Sequence, residues 1–377
     1  MKKKRIAIIT DSIREGGGPA GYVYNLRKGL NLITEKLNIK VKFSGINMKY
    51  YPSHFVFFFW RFLYRGFNFI KRWLMIVFSD VCVFQGYQQS KYIKLAKRLK
   101  KLCIYQPHSP SIKADEDKMN YELQGSKIPH DIYCNLKNNE KELFDSSDIV
   151  VFPSDNAGLA YYSEWKSIIN SKKVFYLKSG TIVRKSNHSL NLRSKFPGKT
   201  IIAFIGRFVT HKGFDIFCEA AKKLKTSDEI QFVCAGSGSL QNLLESSNIY
   251  NLGFISDVGS LLENVDMVII PNRITYYDLL PIECAAYGKP LIFSNVGGNI
   301  SQNKDMPDSL LFSSEDINDL CATIKKTVDI RNENKLWGSK NRLAYENLFT
   351  EKKMAERWLK AFHLAIESSN ESIIYVE

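Results

Sequence analysis

Two cationic side chains in the second half of the chain are of types that can bind phosphate and stabilise an anionic leaving group. Arg207 and Lys212 lie within residues 206–213, GRFVTHKG, directly after the apolar run at residues 200–205. Arginine can grip phosphate oxygens through two parallel hydrogen bonds, whereas lysine acts as a point charge. Cations fixed beside a departing diphosphate stabilise the charge that grows there as the bond breaks. The alternative is a pair of ordinary surface cations, each contributing less than ~1 kcal/mol.

A carboxylate, Glu283, stands in the second segment that could do chemistry. Its surroundings predict the strand, loop, helix and strand of one βαβ unit, at residues 266–272, 273–278, 279–287 and 290–294. In parallel sheets, ligands bind at the carboxyl ends of the strands, where helix N-termini offer N–H groups to anions. Considered alone, Glu283 is best explained as a solvated helix residue; it is the surrounding pattern that points to a site.

The elements that would position these residues alternate between strands and helices along the chain. Strands are predicted at residues 5–10, 40–46, 81–86, 102–107, 148–154, 174–180, 200–206, 230–234, 251–255 and 309–312. The glycines at 16–18 follow the first strand, but their order does not meet the G-x-G-x-x-G fingerprint, so a plain tight turn explains them as well. His108 directly follows the fourth strand, where a structural role is the usual explanation for a single histidine.

Three further stretches define the predicted organisation. Residues 185–199 are polar, contain Pro and Gly, and predict an interdomain linker. Residues 111–139 are polar without a clear period and predict an irregular loop. Residues 340–368 have the apolar spacing of one long amphipathic helix.

Taken together, these motifs resemble the retaining GT-B glycosyltransferases, in particular those of glycosyltransferase family 4. Residues 283–290, ECAAYGKP, match the second half of the family's donor-site signature, and residues 206–213 match its Gly-Arg…Lys-Gly signature. The first half of the donor-site signature departs from the family pattern. Thr275 stands where the family usually has Glu, and Asp278 stands where it often has Gly.

The resemblance implies an α/β fold of the GT-B type, with two Rossmann-like domains facing a central cleft. Residues 1–190 would bind the acceptor and residues 191–345 the nucleotide sugar. A C-terminal helix, residues 346–377, would cross back to the N-terminal domain. The implied reaction is a retaining transfer of a hexosyl group onto a hydroxyl without a metal ion or other cofactor, in which a phosphate oxygen of the donor itself serves as base.

The resemblance also implies roles for individual residues. Glu283 would bind the ribose of the donor, Arg207 and Lys212 would stabilise the leaving diphosphate, and His108 would lie beside the reacting sugar. Either Asp278 or Thr275 would replace the missing first Glu. The remaining donor-site candidates share positions next to strand or helix ends; they are Gly17, Gly18, Gly206, Gly236, Phe254 and Leu279.

The first part of the chain carries the whole positive excess of charge. Residues 1–110 hold 21 Lys and Arg and 4 Asp and Glu, so their balance is +17 against +15 for the full chain. Such a one-sided basic region indicates an anionic partner. Residues 54–78 are rich in aromatic and cationic residues, which fits a core helix or an amphipathic surface that enters an anionic membrane; we favour the membrane surface. Such a surface would suit a protein whose acceptor is a lipid-linked glycan of bacterial surface polysaccharide or lipopolysaccharide synthesis.

Composition limits where the protein is expected to act. The 7 scattered cysteines lack a C-x-x-C pair, which is typical of reduced cytosolic thiols. Neither a signal peptide nor an apolar run of about 18 residues is visible, so a cytoplasmic protein, peripheral on the inner face of the cell membrane, is expected. Two other classes remain open: a non-catalytic GT-B subunit that activates a partner transferase, and a nucleic-acid-binding protein. No recognised motif supports the latter, so no nucleic-acid partner is expected.

Overall fold

The computed structural model describes most of the chain as two compact units. The described residues are 3–33, 39–46, 58–123, 125–183, 186, 190–245, 248–367 and 371–377, with the backbone alone at 46, 58–65 and 123. The N-terminal unit comprises Met1–Gly180 and Glu351–Glu377, and the C-terminal unit comprises Thr181–Thr350.

A parallel sheet forms the centre of the N-terminal unit. Its described strands are β1 (Lys4–Ser12), β2 (Ile39–Ile46), β3 (Val81–Gln85), β4 (Leu102–Gln106), β5 (Ile149–Phe152), β6 (Lys173–Tyr176) and β13 (Ile373–Tyr375). Their order across the sheet is β13-β6-β5-β4-β3-β1-β2, and each pair is parallel. All five residues of β3 are buried, as expected for a parallel strand covered on both faces.

Helices cover both faces of this sheet. They are α1 (Gly18–Ile33), α2 (Phe58–Val77), α3 (Ser90–Arg98), α4 (Lys113–Leu123), α5 (His130–Ser146), α6 (Asp155–Asn170) and α14 (Glu351–Ile366). The C-terminal helix α14 packs on α1, where Trp358 joins Val23 and Leu26 in one buried cluster. Gly29 permits this close approach, because a Cβ at that position would overlap the backbone carbonyl of Glu351.

Two predictions of local structure were wrong. Residues 111–139, predicted to be irregular, contain α4 and the first part of α5. Both helices are mostly polar and bury few side chains, so the apolar period that identifies a helix from sequence is weak there. The predicted long helix at 340–368 is divided at Thr350, whose extended backbone pairs with Thr181 in an isolated bridge.

The C-terminal unit has a second parallel sheet. Its described strands are β7 (Thr200–Ile205), β8 (Ile230–Ala235), β9 (Tyr250–Asn251), β10 (Met267–Ile270), β11 (Leu291–Ser294) and β12 (Ser309–Phe312), in the order β12-β11-β10-β7-β8-β9. Its helices are α7 (Leu192–Lys195), α8 (Phe214–Lys223), α9 (Val258–Asn264), α10 (Leu279–Ala286), α11 (Gly297–Asp305), α12 (Ile317–Glu333) and α13 (Ser339–Ala344). Phe208 and Phe214 stack in its core with ring centroids 4.0 Å apart.

The strand order creates a switch point in each sheet. The chain runs outward from β7 through β8 to β9, then returns to the other side of β7 with β10 and continues to β12. In the N-terminal unit the same reversal lies between β1 and β3. Crevices at the carboxyl ends of the strands flanking such a reversal are where open α/β sheets bind ligands.

The division between units falls at different residues from the predicted boundaries at 190 and 345. The structure divides after Gly180 and again after Thr350. Part of the predicted linker lies outside the described residues. Within the rest, Leu192 is buried and Arg193 forms a paired contact at 2.6 Å with the buried carboxylate of Asp266, so this part belongs to the C-terminal unit.

Candidate active site

The loop after β7 carries the two candidate phosphate-binding cations. It runs from Gly206 to Gly213 and contains one helical turn, Thr210–Lys212. Gly213 has a φ of +68°, and a Cβ there would overlap the carbonyl oxygen of Pro271, at the end of β10. Only glycine therefore allows the two loops to approach so closely, which brings Lys212 beside the start of α10.

Lys212 pairs with Asp278, the residue that precedes α10. Lys212 Nζ donates to Asp278 Oδ2 at 2.5 Å, and Asn272 Nδ2 donates to the same oxygen at 2.9 Å. Burial alone would raise the pKa of Asp278, but the charge of Lys212 and these two hydrogen bonds lower it below its usual value. Asp278 is therefore an ionised partner for Lys212 at neutral pH.

Arg207 is held by a histidine that the sequence analysis did not single out. Arg207 Nη2 donates to His211 Nε2 at 3.1 Å, and since a guanidinium can only donate, Nε2 is the unprotonated nitrogen. Burial, together with the charges of Arg207 and Lys212, lowers the pKa of His211 to about 4, so the ring is neutral. The sequence signal for this contact was that His211 follows Arg207 by four residues in the same loop.

Arg273 links the loops after β7 and β10. Its guanidinium donates two hydrogen bonds to the carboxylate of Asp215, at 2.8 and 2.7 Å, and a third to the carbonyl of Thr210 at 2.6 Å. Its backbone N–H donates to the carbonyl of His211 at 3.0 Å. Hydrogen bonds to Asp215 raise the pKa of Arg273 above its ordinary value, so the guanidinium stays charged. The sequence analysis missed this residue as well.

Glu283 lies on α10 and contributes to an open crevice of the C-terminal unit. This shallow crevice is lined by Ile182, Val183, Val258, Gly259, Leu262, Glu283, Ala286 and Tyr287. Gly259 leaves room for the ring of Tyr287, because a Cβ there would overlap its hydroxyl. A mostly apolar crevice with one carboxylate can bind a small ligand through apolar contacts and one hydrogen-bond acceptor.

The other candidates of the C-terminal unit differ in accessibility. Phe254 is 81% exposed on the loop after β9, so its ring is free to contact a ligand. Thr275 and Leu279 are buried, and the hydroxyl of Thr275 finds no hydrogen-bond partner among the described residues. A Cβ on Gly236 would overlap the carbonyl oxygen of Gly206. The two glycines therefore bring the ends of β7 and β8 into close contact.

In the N-terminal unit, His108 lies at the carboxyl end of β4 in a buried polar cluster. One ring nitrogen is hydrogen-bonded to Gln85 Oε1, and the ring packs on Tyr22 with centroids 4.8 Å apart. Burial lowers the pKa of His108 to about 3, so it is neutral and acts as a hydrogen-bonding group rather than as a cation. The hydroxyl of Tyr22 accepts hydrogen bonds from Gln106 and from Trp358 on α14, at 3.0 and 2.9 Å.

Further polar groups lie at the ends of β1 and β3 in this unit. Asp11 accepts hydrogen bonds from Gln89 at 2.9 Å and from Arg72 of α2 at 3.4 Å. Gly17 and Gly18 precede and begin α1, and both residues are exposed. Helix N-termini of this kind bind anions. Asp11, Gln85 and Gln89 were not predicted as site residues.

Part of the C-terminal unit matches a known protein family. Residues 199–329 match the family described as "Glycosyl transferases group 1". The Campylobacter jejuni N,N'-diacetylbacillosaminyl-diphospho-undecaprenol alpha-1,3-N-acetylgalactosaminyltransferase is 27% identical over 176 residues, 45% of this chain and 46% of the relative. The Escherichia coli UDP-Gal:alpha-D-GlcNAc-diphosphoundecaprenol alpha-1,3-galactosyltransferase is 24% identical over 43% of this chain and 46% of the relative. The matched region thus spans about half the length of these relatives.

Solved structures resemble the chain over nearly its whole length. Anabaena HepE in complex with UDP and glucose aligns with a TM-score of 0.63 and 14% identity, covering 95% of this chain and 99% of that one. WaaG, a glycosyltransferase involved in lipopolysaccharide biosynthesis, aligns with a TM-score of 0.62 and 13% identity over 93% and 98%. At such identities these neighbours show the fold alone. The chain therefore has the GT-B fold, and its residues 199–329 match the model of the glycosyl transferases group 1 family.

Proposed function

We propose that the protein is a retaining glycosyltransferase that moves a hexosyl group from a nucleotide-sugar donor to a hydroxyl of a lipid-linked glycan acceptor. The observation that carries the proposal is the grouping of Arg207, Lys212 and Asp278 at the switch point between β7 and β10. The family match over residues 199–329 supports it. So do the diphosphoundecaprenol-linked acceptors that the names of the Campylobacter and Escherichia relatives specify.

The proposed mechanism uses this chain's own side chains and no metal ion. Arg207, oriented by neutral His211, and Lys212 bind the donor diphosphate and stabilise the charge that develops on it as the sugar leaves. Glu283 accepts hydrogen bonds from the ribose hydroxyls, and the exposed ring of Phe254 contacts the base. A phosphate oxygen of the leaving group takes the proton from the attacking hydroxyl.

The N-terminal unit is proposed to hold the acceptor and the reacting sugar. Neutral, half-buried His108 is suited to donating or accepting a hydrogen bond with a sugar hydroxyl rather than to binding phosphate. Gly17 and Gly18 lie at the start of α1, where a phosphate can bind. Asp278 or Thr275 would supply the contact that the family's first Glu makes in its donor-site signature.

Turnover of purified protein tests the assignment. A panel of nucleotide sugars, with a polyprenyl-diphosphate-linked sugar as acceptor, should give transfer with retention of configuration in the presence of a chelator. Arg207→Ala and Glu283→Ala should each lower kcat/KM at least about 100-fold, the scale of losing one preorganised charged contact in a transition state. Lys222→Ala, which removes a cation from α8, is the matched control. Near wild-type rates in both site variants would exclude the proposed site.

The protein is also proposed to act at the cytoplasmic face of the cell membrane, in bacterial surface polysaccharide or lipopolysaccharide synthesis. One face of α2, together with the residue that follows the helix, exposes large apolar side chains: Phe67, Phe69, Ile70, Trp73, Leu74 and Phe78. Beside it, α3 carries Lys91, Lys94, Lys97 and Arg98. An apolar face bordered by cations fits an anionic lipid surface. None of the helices in the described ranges combines the length and hydropathy needed to cross a bilayer.

Vesicle binding tests this surface. Phosphatidylglycerol vesicles should retain the protein better than phosphatidylcholine vesicles, and added salt should weaken the binding. The double variant Phe67→Ser and Phe78→Ser should lose most of the vesicle binding. Leu336→Ser removes an exposed apolar residue of the C-terminal unit and should bind vesicles like the wild type. Equal retention on both lipids at all salt concentrations would contradict the electrostatic part of the proposal.

A second candidate is a non-catalytic GT-B subunit that activates a partner transferase. Two observations favour it: Thr275 replaces the family's first Glu, and Lys212 is already paired with Asp278. Hydrolysis or transfer of a donor sugar by the isolated chain, lost in Arg207→Ala, would exclude this candidate.

A further inference from the structure

The carboxylate of Asp278 is paired with the ammonium group of Lys212, the group on which the proposed reaction depends. Lys212 Nζ lies 2.5 Å from Asp278 Oδ2, and the side chains of the two residues are 23% and 31% exposed. Solvent and small anions therefore reach the pair. It lies at the carboxyl edge of the sheet, next to the loop that carries Arg207.

Asp278 stands at a helix N-terminus but is turned toward the cation. Asp at the position before a helix ordinarily accepts a hydrogen bond from the N–H of the second or third residue of that helix. Here, within the described part of the chain, its side chain makes no such capping bond to α10 and instead binds Lys212 and Asn272. The geometry thus favours the contact with Lys212 over the local helix cap.

This pairing changes the charge that a diphosphate would meet. Arg207 and Lys212 bring two positive charges, and the carboxylate of Asp278 cancels one of them. His211 is neutral and adds none. A phosphate oxygen that binds Lys212 must compete with Asp278, because both are anionic acceptors for the same ammonium group.

Building on the proposed function, we propose that Asp278 is an internal counterion of Lys212 that a nucleoside diphosphate must displace, so that it weakens the binding of donor and of diphosphate product. The displacement favours catalysis in one specific way. The diphosphate gains negative charge as the sugar leaves, so it competes with Asp278 better in the transition state than in the ground state. Once the reaction is complete, the returning carboxylate promotes product release.

Calorimetric titration with inorganic pyrophosphate in the presence of a chelator tests this, since the probe does not depend on the unidentified base or sugar. Asp278→Asn and Asp278→Gly should each bind pyrophosphate about tenfold more tightly than the wild type, the scale of removing one nearby opposing charge at a partly exposed site. Glu219→Gln is the matched control, because Glu219 pairs with Lys222 at 2.6 Å in the same unit. Its affinity for pyrophosphate should equal that of the wild type. Melting curves check that each variant is folded.

The outcomes separate the two proposals. Unchanged or weaker pyrophosphate binding in either Asp278 variant overturns the counterion role, and if turnover falls at the same time, Asp278 contacts the sugar instead. Lys212→Ala and Arg207→Ala test the diphosphate site itself. If neither weakens pyrophosphate binding, the site proposed for the donor is wrong, and the counterion inference is overturned with it. If Lys212→Ala and Arg207→Ala both weaken pyrophosphate binding while the Asp278 variants fail to tighten it, only the counterion inference is wrong.

Discussion

Gly213, at the end of the loop that carries Lys212, lies against the backbone carbonyl of Pro271 with no room for a side chain. Its φ of +68° is also one that other residues rarely adopt. The contact joins the loop after β7 to the loop after β10, and the position of Lys212 beside Asp278 depends on it.

Gly213→Ala should therefore weaken both stability and catalysis. The substitution forces strain of about 1–3 kcal/mol and displaces one of the two loops. We expect a fall in melting temperature of several degrees and a loss of pyrophosphate affinity, measured by thermal unfolding and calorimetry. Gly198→Ala, at a positive φ with open space around the Cβ, controls for backbone strain alone. Equal pyrophosphate affinity in both variants would contradict the role assigned to the contact.

His211→Ala should lower kcat without unfolding the protein. The variant removes the acceptor that orients Arg207, so the guanidinium samples positions away from the diphosphate; we expect about a tenfold loss in kcat. His211→Gln retains a side-chain acceptor and should recover part of the rate. Steady-state kinetics of the three proteins check this, and an unchanged kcat in His211→Ala would show that Arg207 is held by other contacts.

Arg273→Lys should not behave as a conservative change. Lysine cannot reproduce the two parallel hydrogen bonds to Asp215 together with the bond to the Thr210 carbonyl. We expect a lower melting temperature, by about 2–4 °C for each kcal/mol lost, and a reduced kcat/KM. Arg5→Lys serves as the comparison for loss of an arginine pair at an exposed site, with Asp80 as its partner. A kcat/KM of Arg273→Lys no lower than that of the comparison would contradict the positioning role.

Glu140 should make the stability of the N-terminal unit depend on pH. It is buried on α5, and burial raises its pKa from the ordinary 4.5 to about 7, although Lys113 N–H, Tyr105 and Tyr161 donate hydrogen bonds to it. Between these two pH values the folded state thus holds a proton that the unfolded state has lost. The stabilisation is complete below pH 4.5 and is lost as pH rises through about 7.

The expected change in the free energy of unfolding is at most about 3 kcal/mol, because a tenfold change in an acid dissociation constant corresponds to about 1.4 kcal/mol. Urea unfolding at pH 5 and pH 8 measures it. Glu140→Gln should reduce the difference in unfolding free energy between the two pH values. Glu142 is a more exposed carboxylate on the same helix, so Glu142→Gln should leave that difference unchanged. A wild-type stability that rises between pH 5 and pH 8, with the same rise in Glu140→Gln, would contradict the raised pKa of Glu140.

The sequence placed the candidate site residues on their loop and helix but did not reveal the contacts between them. Arg207, Lys212 and Glu283 stand in local patterns of fewer than ten residues, so their positions on loop and helix could be read directly. The partners of these residues could not. Arg273 meets Asp215 58 residues away, and Asp278 meets Lys212 66 residues away. Such pairs follow from the strand order, which brings β7 beside β10.

Secondary structure was hardest to predict where apolar periodicity is weak or where a break depends on a distant contact. The polar helices α4 and α5 are an example of the first kind. The break at Thr350 depends on a distant contact, because the extended backbone of Thr350 pairs with Thr181. For α2, the pattern favoured a membrane surface over a core helix. The exposure of Phe67 and Ile70 rules out full burial of the helix, while contact with lipid remains a prediction.

The joining of α14 and β13 to the N-terminal unit has a consequence for synthesis on the ribosome. The apolar face of α1 and the edge of β6 are covered by residues that are translated last among those described, after the whole C-terminal unit. The first 180 residues therefore emerge with their core incomplete and an uncovered sheet edge. A nascent chain in that state is a natural client for chaperones until translation has supplied Trp358 and Ile374.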